Sequence, residues 1–141
     1  MLLIDADGAV AGRLAAFVAK KALLGETVVI VNAEKAVISG DPKFIIKKYF
    51  DKRSVQNKAN PEKSMKTPRR PDLFFKKMIG GMIPKSPRGA QAEKAIKAFL
   101  GVPHEYEGKK AEKPVKTAEK LGAKFITLKR LCMHLGWNKT I

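Results

Sequence analysis

The sequence predicts an α/β protein with a parallel sheet, and three observations near its start support that fold class. Residues 2–4 form a short apolar run that ends in turn-forming residues 5–8, as a buried strand does. Apolar positions within residues 10–18 then follow helical spacing, and Gly25 is placed to end that helix. Residues 27–31 are apolar or β-branched throughout, which is typical of a parallel strand covered on both faces. Together these segments predict a βαβ unit with a right-handed crossover.

The next segments predict a third short strand and a second helix. Residues 36–38 are apolar and follow the second strand closely. Asp41 is a favourable N-cap and Pro42 suits the first helical position, so we expect a helix to begin there. The side chains expected to face inward from this helix are Ile45, Tyr49 and Phe50.

The regular pattern breaks down over residues 53–71. This segment has three prolines, six basic residues and few apolar ones, so it cannot bury enough apolar surface to order itself. We therefore predict a long, extended basic loop over residues 53–70. Residues 72–79 predict a short helix that is stopped by Gly80 and Gly81.

The last third of the chain predicts two more helices and an edge strand. Residues 92–99 show helical spacing, and residues 102–106 fit a short edge strand. Residues 108–122 are rich in lysine, glutamate and alanine, so we expect them to face solvent. Thr127 is placed to cap an amphipathic C-terminal helix whose apolar positions fall at i, i+3, i+4 and i+7. Those positions are Leu128, Leu131, Cys132 and Leu135.

Composition excludes several classes of protein. The 141 residues fit a single domain over 1–141, in which the loop 53–70 and a charged segment plus helix over 108–141 are distinct parts. A hydrophobic content of 45% argues against wholesale disorder, and no run nears the roughly 18–20 apolar residues of a membrane span. The start lacks a basic lead-in, so we expect no signal peptide, and the lone Cys132 excludes an internal disulfide. These features predict a soluble, cytoplasmic protein.

Positive charge is concentrated in the middle of the chain. The protein has 29 basic and 13 acidic residues, a net charge of +16. Residues 1–42 carry a net −1, residues 43–100 a net +12 and residues 101–141 a net +5. A near-neutral scaffold with a cationic middle is typical of a protein that presents a surface to a polyanion, and nucleic acid is the expected one.

The arrangement of these cations favours structured RNA. In residues 52–70 the basic residues are interspersed with prolines and have no helical periodicity, so they do not simply form the solvated face of a helix. Arg69 and Arg70 offer fork-shaped guanidiniums suited to phosphate, and Arg13 lies in a first helical turn, where an external phosphate suits it. The aromatic pair 74–75 is expected to face the core, which favours recognition by phosphate and shape over base stacking. The RNA-binding candidates are Arg13, Lys47, Lys48, Lys52, Arg53, Lys58, Lys63, Lys66, Arg69, Arg70, Lys76, Lys77, Lys85 and Arg88.

Catalytic and metal-binding functions have less support. Gly8 and Gly12 lie between a strand and a helix, but they lack the spacing of a phosphate loop or a dinucleotide fingerprint. A turn with close helix–strand packing is the simpler explanation. Asp5 and Asp7 form a candidate carboxylate pair, although turn-forming side chains explain them more simply. The histidines and the cysteine lack metal-site spacing, so we expect no catalytic residue, metal or cofactor.

Motifs in both halves of the chain resemble one known family. In the first half they are Asp-Ala at 5–6, Gly-Arg-Leu-Ala at 12–15, Val-Ile-Val-Asn-Ala-Glu at 29–34 and Ile-Ser-Gly at 38–40. In the second half they are Arg-Pro at 70–71, Gly-Met-Ile-Pro-Lys at 81–85, Arg-Gly at 88–89 and Leu-Gly-Val-Pro at 100–103. In this order they resemble the large-subunit ribosomal protein thirteen family over residues 1–108, and the Gly-Met-Ile-Pro-Lys turn is the most specific match.

The resemblance implies a three-layer α/β/α fold around a four-stranded, mainly parallel sheet. It also implies a structural role in the large subunit, early in its assembly. After Pro103 the chain departs from the bacterial pattern, because it has the charged segment 108–124 and a final amphipathic helix, and this places it nearer the archaeal and eukaryotic branch. The RNA-facing candidates within matched motifs are Arg13, Arg70, Lys85 and Arg88.

The sequence therefore predicts a non-catalytic, ribosome-bound protein of the large subunit. Its expected partners are ribosomal RNA and neighbouring large-subunit proteins, and we expect no membrane and no small-molecule substrate. Two alternatives stay open: a free RNA-binding regulatory protein, and a small α/β enzyme that uses a nucleotide.

Overall fold

A computed structural model describes residues 1–118 and 122–138 of the chain. It has the mixed α/β architecture that the sequence predicts, with a mainly parallel sheet and a small antiparallel pair. Short 3-10 turns cover Ala33–Lys35, Pro61–Lys63 and His104–Tyr106. The helices and strands, in chain order, are β1 (Leu2–Asp5), α1 (Ala11–Leu23), β2 (Val28–Val31), β3 (Val37–Ser39), α2 (Pro42–Ser54), α3 (Pro71–Gly80), α4 (Pro87–Lys94), β4 (Ile96–Ala98), β5 (Phe125–Thr127) and α5 (Leu128–His134).

The parallel sheet has the order β1-β2-β4, with β2 in the centre. Val29 of β2 pairs with Leu3 on one side and with Lys97 on the other, both in parallel register. All four residues of β2 are buried, in agreement with the continuous apolar run that predicts a covered strand. Because α1 connects β1 to β2, the predicted βαβ unit is confirmed.

The two faces of this sheet are covered differently. On one face, Ile4 and Ile30 pack into the main core with side chains of α1, α3 and α5. On the other face, a smaller cluster joins Val29 to Phe99 and Tyr106. In the described part of the chain this second cover is irregular chain and a 3-10 turn rather than helices, so the three-layer arrangement that the resemblance implies is not confirmed.

Within the described residues the parallel sheet has three regular strands where the resemblance implies four. At the outer edge of β1, Glu112 forms a single parallel bridge with Ile4. The Glu112 carbonyl accepts from the Asp5 amide at 3.0 Å, and its amide donates to the Leu3 carbonyl at 2.9 Å. The next donor in such a ladder would come from Pro114, which has no amide hydrogen, so the bridge does not extend into a strand.

The chain after α4 becomes a strand, where helical spacing predicts continued helix. α4 ends at Lys94, and β4 follows after one residue. Ile96 is 1% exposed and pairs with Val28, because β2 has an edge whose backbone groups need partners. Strand pairing outweighs the spacing of residues 92–99, so the helix prediction is correct only for the first part of that segment.

The edge strand predicted over residues 102–106 is wrong. Pro103 has no amide hydrogen for a ladder, and it precedes the 3-10 turn His104–Tyr106. The turn lets Tyr106 cover the sheet, with its ring centroid 6.0 Å from that of Phe99. Apolar burial therefore takes this segment across the sheet face rather than along its edge.

A second, antiparallel pair joins β3 to β5, with Ile38 opposite Ile126. The strand predicted over residues 36–38 is confirmed within one residue, but it lies in this pair rather than in the parallel sheet. β5 lacks a clear sequence signal, because it has only three residues and the last of them, Thr127, is also the N-cap of α5. The Thr127 hydroxyl accepts from the Arg130 amide at 3.3 Å, as the sequence predicts.

The limits of α1 and α2 agree with the predicted capping residues. Asp41 accepts a backbone amide three residues on at 3.3 Å, and Gly25 follows α1 with a φ of +90°. α2 buries Ile45 and half-buries Tyr49, whereas Phe50 is 59% exposed, so the prediction that Phe50 faces inward is wrong. One residue turns a helix by about 100°, which takes Phe50 off the packed side that ends at Tyr49.

α3 confirms the helix predicted over residues 72–79. It ends at Gly80, and Gly81 is its C-cap. Phe74 and Phe75 are buried, as predicted, and both belong to the main core. The two aromatic rings are therefore used for packing α3 onto the rest of the protein.

The amphipathic C-terminal helix α5 is also confirmed. Burial raises the pKa of the Cys132 thiol to about 12, and the Asp72 carboxylate adds to the effect. The thiol is therefore a core group rather than a reactive one. The predicted apolar positions are all buried: Leu128, Leu131, Cys132 and Leu135.

Candidate nucleic-acid interface

The predicted RNA-binding cations lie mostly on the surface, between α2 and the start of α4. Twelve of the fourteen side chains are exposed, while Arg53 and Lys76 are half-buried. Arg13 is apart from the others along the chain, in the first turn of α1. The structure therefore leaves most of these charges open to an external partner.

α2 carries three of the cations away from the core. Ile45 is buried, and Tyr49 meets Phe74 edge-on with ring centroids 5.0 Å apart. Helical periodicity then directs the remaining positions outward. α2 runs to Ser54, so the irregular loop begins two residues later than predicted. The candidate cations exposed on α2 are Lys47, Lys48 and Lys52.

The basic loop between α2 and α3 is held at its base by two neighbouring cations. Arg53 donates from Nη1 to the Thr67 carbonyl at 3.0 Å, and Lys77 donates to the Lys66 carbonyl. No residue in 55–70 is buried, as the lack of apolar residues predicts. Arg53 and Lys77 thus position the loop. Spacing in the sequence could not show this, because the acceptors are backbone oxygens.

Arg70 is partly used inside the protein. Its Nε donates to Oδ1 of Asp72 at 2.8 Å, and its Nη2 donates to Oδ2 of the same carboxylate. The Asp72 side chain is 6% exposed, whereas that of Arg70 is 54% exposed. The hydrogen bond and the charge of Asp72 raise the pKa of Arg70 above its ordinary value. One edge of the Arg70 guanidinium therefore neutralises the buried Asp72 carboxylate, while its other donors face solvent.

Arg69 lies against the turn that ends α5. A Cβ added at Gly136 would stand 3.7 Å from the central carbon of the Arg69 guanidinium, so the guanidinium lies beside the bare glycine. Gly136 has a φ of +96°, a conformation that favours glycine. This contact places a loop cation next to the C-terminal helix, which no spacing in the sequence indicates.

The turn between α3 and α4 carries Lys85, and Arg88 lies in the first turn of α4. Both side chains are exposed, and Arg88 donates from Nη2 to the Leu23 carbonyl at 2.8 Å. That carbonyl lies at the C-terminal end of α1, where a cation is favourable. The turn is tight, because a Cβ on Gly89 would stand 1.9 Å from the Pro84 carbonyl oxygen. The matched motif therefore sets where both cations lie.

The carboxyl ends of β1 and β2 hold a cluster of the protein's own polar groups, at the edge where open α/β sheets bind nucleotides. Asp5 accepts from the Asn32 side-chain amide at 2.9 Å and from the Asp7 backbone amide at 3.0 Å. The Lys113 ammonium lies 3.2 Å from the Asp5 carboxylate and 3.7 Å from that of Asp7. The turn-forming role of the two aspartates is confirmed.

Lys113 is exposed, as predicted for most of 108–122, and it pairs with both carboxylates from the surface, whereas Ala118 is buried. Residues 119–121 of that segment lie outside the described part of the chain.

The two glycines after β1 do not form a phosphate loop. Gly8 has a φ of +66°, which confirms a turn there. Gly12 lies in the first turn of α1, and a Cβ on it would meet nothing within 4 Å, so close packing does not explain this glycine. Across residues 1–118 and 122–138, no group of three or more His, Cys, Asp or Glu could hold a metal ion.

The Asp5 cluster makes stability depend on pH. Burial raises the pKa of Asp5, but hydrogen bonds from Asn32 and Asp7 and the Lys113 ammonium outweigh it and lower that pKa below its ordinary value. Folding thus favours the ionised carboxylate of Asp5. Its contribution to the free energy of unfolding is complete above the ordinary carboxyl pKa, and it is lost as pH falls through the lowered pKa of the folded protein. We expect Asp5→Asn to lower the free energy of unfolding by about 1 kcal/mol at pH 7, because Lys113 is half exposed and water weakens the pair.

Urea unfolding of the parent and Asp5→Asn at several pH values measures this effect. The difference between them should shrink as pH falls below about 4, where the aspartate becomes protonated. Asp7→Asn is the matched control, since the Asp7 carboxylate is 49% exposed and farther from Lys113, and it should cost less than about 0.5 kcal/mol. An Asp5→Asn difference that does not change with pH would rule out the ion pair as its cause.

The fold and the surface together define the class of protein. It is a basic α/β protein in which a small sheet and its helices display an anchored, cationic loop. Among the described helices, none is both long and apolar enough to cross a membrane. Such a surface is suited to a polyanion rather than to a small substrate.

Comparison with known proteins identifies the family. The sequence model of the family described as Ribosomal protein L13 matches residues 1–105. The chain is 45% identical to the large ribosomal subunit protein uL13 of Methanocaldococcus jannaschii over 139 residues, which cover 96% of this chain and 98% of that protein. For the uL13 of Methanococcus maripaludis the identity is 42% over 138 residues, with 96% and 98% covered. For that of Saccharolobus solfataricus it is 36% over 140 residues, with 98% and 94% covered.

The chain therefore belongs to the ribosomal protein L13 family. This confirms the resemblance carried by the motifs of the two halves. The family is one of structural proteins, so the chain is not an enzyme. The three relatives are archaeal, in agreement with the branch that the C-terminal segment indicates.

Proposed function

We propose that this chain is a structural component of the large ribosomal subunit that binds ribosomal RNA and supports early subunit assembly. The observation that carries the proposal is the anchored basic surface, with eleven exposed candidate cations between α2 and the start of α4. Each cation that meets a phosphate releases counterions, so this surface supplies affinity that does not depend on base sequence. Family membership supports the same role, because the relatives carry the name of a large-subunit protein.

In this proposal the core and the loop have different tasks. The packed helices and sheet form a rigid platform, and residues 55–70 thread between RNA segments and neutralise phosphates that otherwise repel one another. Arg53 and Lys77 fix the base of the loop, so only its outer part has to become ordered on RNA. The other candidates supply charge from α1, α2 and α3, from the turn before α4 and from the first turn of α4.

The proposal extends to the whole chain and its surroundings. Residues 1–141 act as one domain, in which the loop 53–70 is the part that meets RNA and residues 108–141 form a charged segment plus the C-terminal helix. Glu112 holds the fourth position of the sheet, and its bridge to β1 supports the proposal of a four-stranded arrangement in the assembled particle. The protein is ribosome-bound in the cytoplasm and touches neighbouring large-subunit proteins as well as RNA.

A free RNA-binding regulator would use the same cations, so sedimentation separates the two functions. We expect tagged chain to stay with large subunits in sucrose gradients at high salt. Isolated hairpins of ribosomal RNA should bind weakly, because the loop must become ordered on binding. Their affinity should fall by at least about tenfold between about 50 and 200 mM salt, because salt weakens each of several phosphate contacts.

Two outcomes would contradict this proposal. Tight hairpin binding combined with sedimentation away from subunits would favour the regulator. An affinity that hardly changes with salt would contradict the electrostatic mechanism itself.

A further inference from the structure

A cavity lies between α2, α3 and the basic loop, and the phosphate contacts proposed above do not use it. Its volume is about 320 Å³, within the range of about 300–1,000 Å³ that is typical of ligand pockets. Tyr49 of α2, Phe74 and Met78 of α3, and Met65 of the loop supply its apolar walls. Two aromatic rings and two thioethers thus surround one space.

The cavity is also lined by one threonine, Thr67, and by two lysines. The Thr67 hydroxyl is buried and has no hydrogen-bond partner among the described residues. The hydroxyl oxygen itself has almost no exposed surface, so a ligand edge gains this hydrogen bond only when the Thr67 side chain rotates toward the cavity. Lys52 and Lys77 line the same cavity, and both side chains are exposed. Lys77 uses one donor on the Lys66 carbonyl, and an ammonium has two more that can meet a ligand.

The loop side of the cavity is held in place although its residues are exposed. Arg53 bonds the Thr67 carbonyl, and Lys77 bonds the Lys66 carbonyl, so the short segment that carries Met65 is fixed next to two anchors. Met65 is 59% exposed, which leaves one of its sides open to a ligand. The cavity therefore has a defined wall on the loop side rather than a free chain.

We propose that this cavity binds one nucleobase that ribosomal RNA turns out of its helix. The apolar faces of a base fit against Met65 and Tyr49, and its polar edge meets the Thr67 hydroxyl. The phosphates on either side of that nucleotide then meet Lys52 and Lys77. This inference rests on the proposed function, and it adds one position of base recognition to a surface that otherwise contacts phosphate.

Charge and the hydroxyl favour a base over the apolar side chain of a neighbouring protein. Residues 43–100 carry a net charge of +12, so a ligand flanked by phosphates is attracted to this region. An apolar side chain would fill the cavity, but it would leave the Thr67 hydroxyl unpaired and would give the Lys52 ammonium and the remaining donors of Lys77 no anionic partner. A base with its flanking phosphates gives a partner to the Thr67 hydroxyl and to both lysines.

Nuclear magnetic resonance titrations of the full chain with three probes test the proposal. AMP contains base and phosphate, ribose 5-phosphate lacks the base, and N-acetylphenylalaninamide offers an apolar ring with uncharged amides but neither base nor phosphate. We expect AMP to shift the Thr67 amide and the methyl groups of Met65 and Met78, while ribose 5-phosphate shifts only signals near the lysines. The proposal is overturned if AMP shifts these groups no more than ribose 5-phosphate does, or if only the phenylalanine derivative shifts them.

Variants of the loop wall provide a second test. Met65→Ala should weaken AMP binding by about fivefold, since a wall of the base site is removed. Thr67→Val should weaken it by about threefold while leaving the free chain equally stable or more stable, because the buried hydroxyl has no partner. Val55→Ala is the matched control, since Val55 is 69% exposed on the same loop and does not line the cavity.

These variants also separate the cavity from the general function. Parental AMP binding by Met65→Ala and Thr67→Val would overturn the base site and leave ribosomal RNA binding intact. Failure of the proposed function would appear instead in the sedimentation of the parent chain, which does not depend on the cavity variants.

Discussion

Replacing Lys63, Lys66 and Lys85 together with Glu is expected to reduce incorporation into large subunits by more than about tenfold, because each change turns attraction to a phosphate into repulsion. All three side chains are exposed, so each substitution should change the free energy of unfolding by less than about 0.5 kcal/mol. The measurement is the fraction of tagged variant in purified large subunits, with circular dichroism to verify folding.

The choice of residues follows from the contacts in the structure. Arg70 is unsuitable, because a glutamate there would face the buried Asp72 carboxylate and unfold the protein for a reason unrelated to RNA. Lys113 is unsuitable as a control, because it pairs with Asp5. The matched control is a triple replacement by Glu at lysines that are exposed but lie outside the proposed surface. These are Lys110, Lys116 and Lys124.

The two triple variants together decide whether the cationic tract is functional. The control variant should incorporate close to the parental level, although it carries the same change in net charge. If both variants incorporate like the parent, the tract is only a solvated face. If both are excluded equally, total charge matters and the position of the cations does not.

Elements with strong local signals could be predicted from the sequence, and those decided by pairing could not. β2 is apolar throughout and α5 has a complete helical repeat, so both were identifiable without knowledge of their neighbours. Ile96 lies in a segment with helical spacing, but β2 draws it into a ladder. Likewise, Tyr106 leaves the predicted edge because an apolar sheet face is available. In both cases a distant partner decides the local structure.

The candidate surface shows the same division. Composition alone located the cations, since a net charge of +12 over residues 43–100 is visible in the sequence. Their internal partners were not predictable, because Arg53 and Arg88 bond backbone carbonyls. A carbonyl has no residue-type signature, so only the fold shows which cation contacts it. The pairing of Arg70 with Asp72 could be suspected from their spacing of two residues. Only the structure shows that the carboxylate is buried, which makes the pair important for stability.

Gly89→Ala is expected to lower the free energy of unfolding by about 3 kcal/mol or more, at the upper end of the range for overpacking. Its Cβ would stand 1.9 Å from the Pro84 carbonyl oxygen and 3.0 Å from Cγ2 of Ile83. Neither neighbour yields easily. Ile83 is 7% exposed, and the Ser86 hydroxyl holds the start of α4 by accepting from the Gly89 amide at 3.2 Å. Urea unfolding of the variant and the parent measures the loss.

Gly12→Ala is the matched control for this substitution, because its Cβ meets nothing within 4 Å and alanine favours a helix by about 1 kcal/mol over glycine. The control should therefore be as stable as the parent or more stable. Gly89→Ala has a second consequence, since relieving the clash moves the turn that carries Lys85 and Arg88. The hydrogen bond from Arg88 to α1 should break, and incorporation into large subunits should fall even at temperatures where the variant stays folded. A Gly89→Ala chain as stable as its parent would show that the turn moves without cost, and that this motif does not fix the two cations.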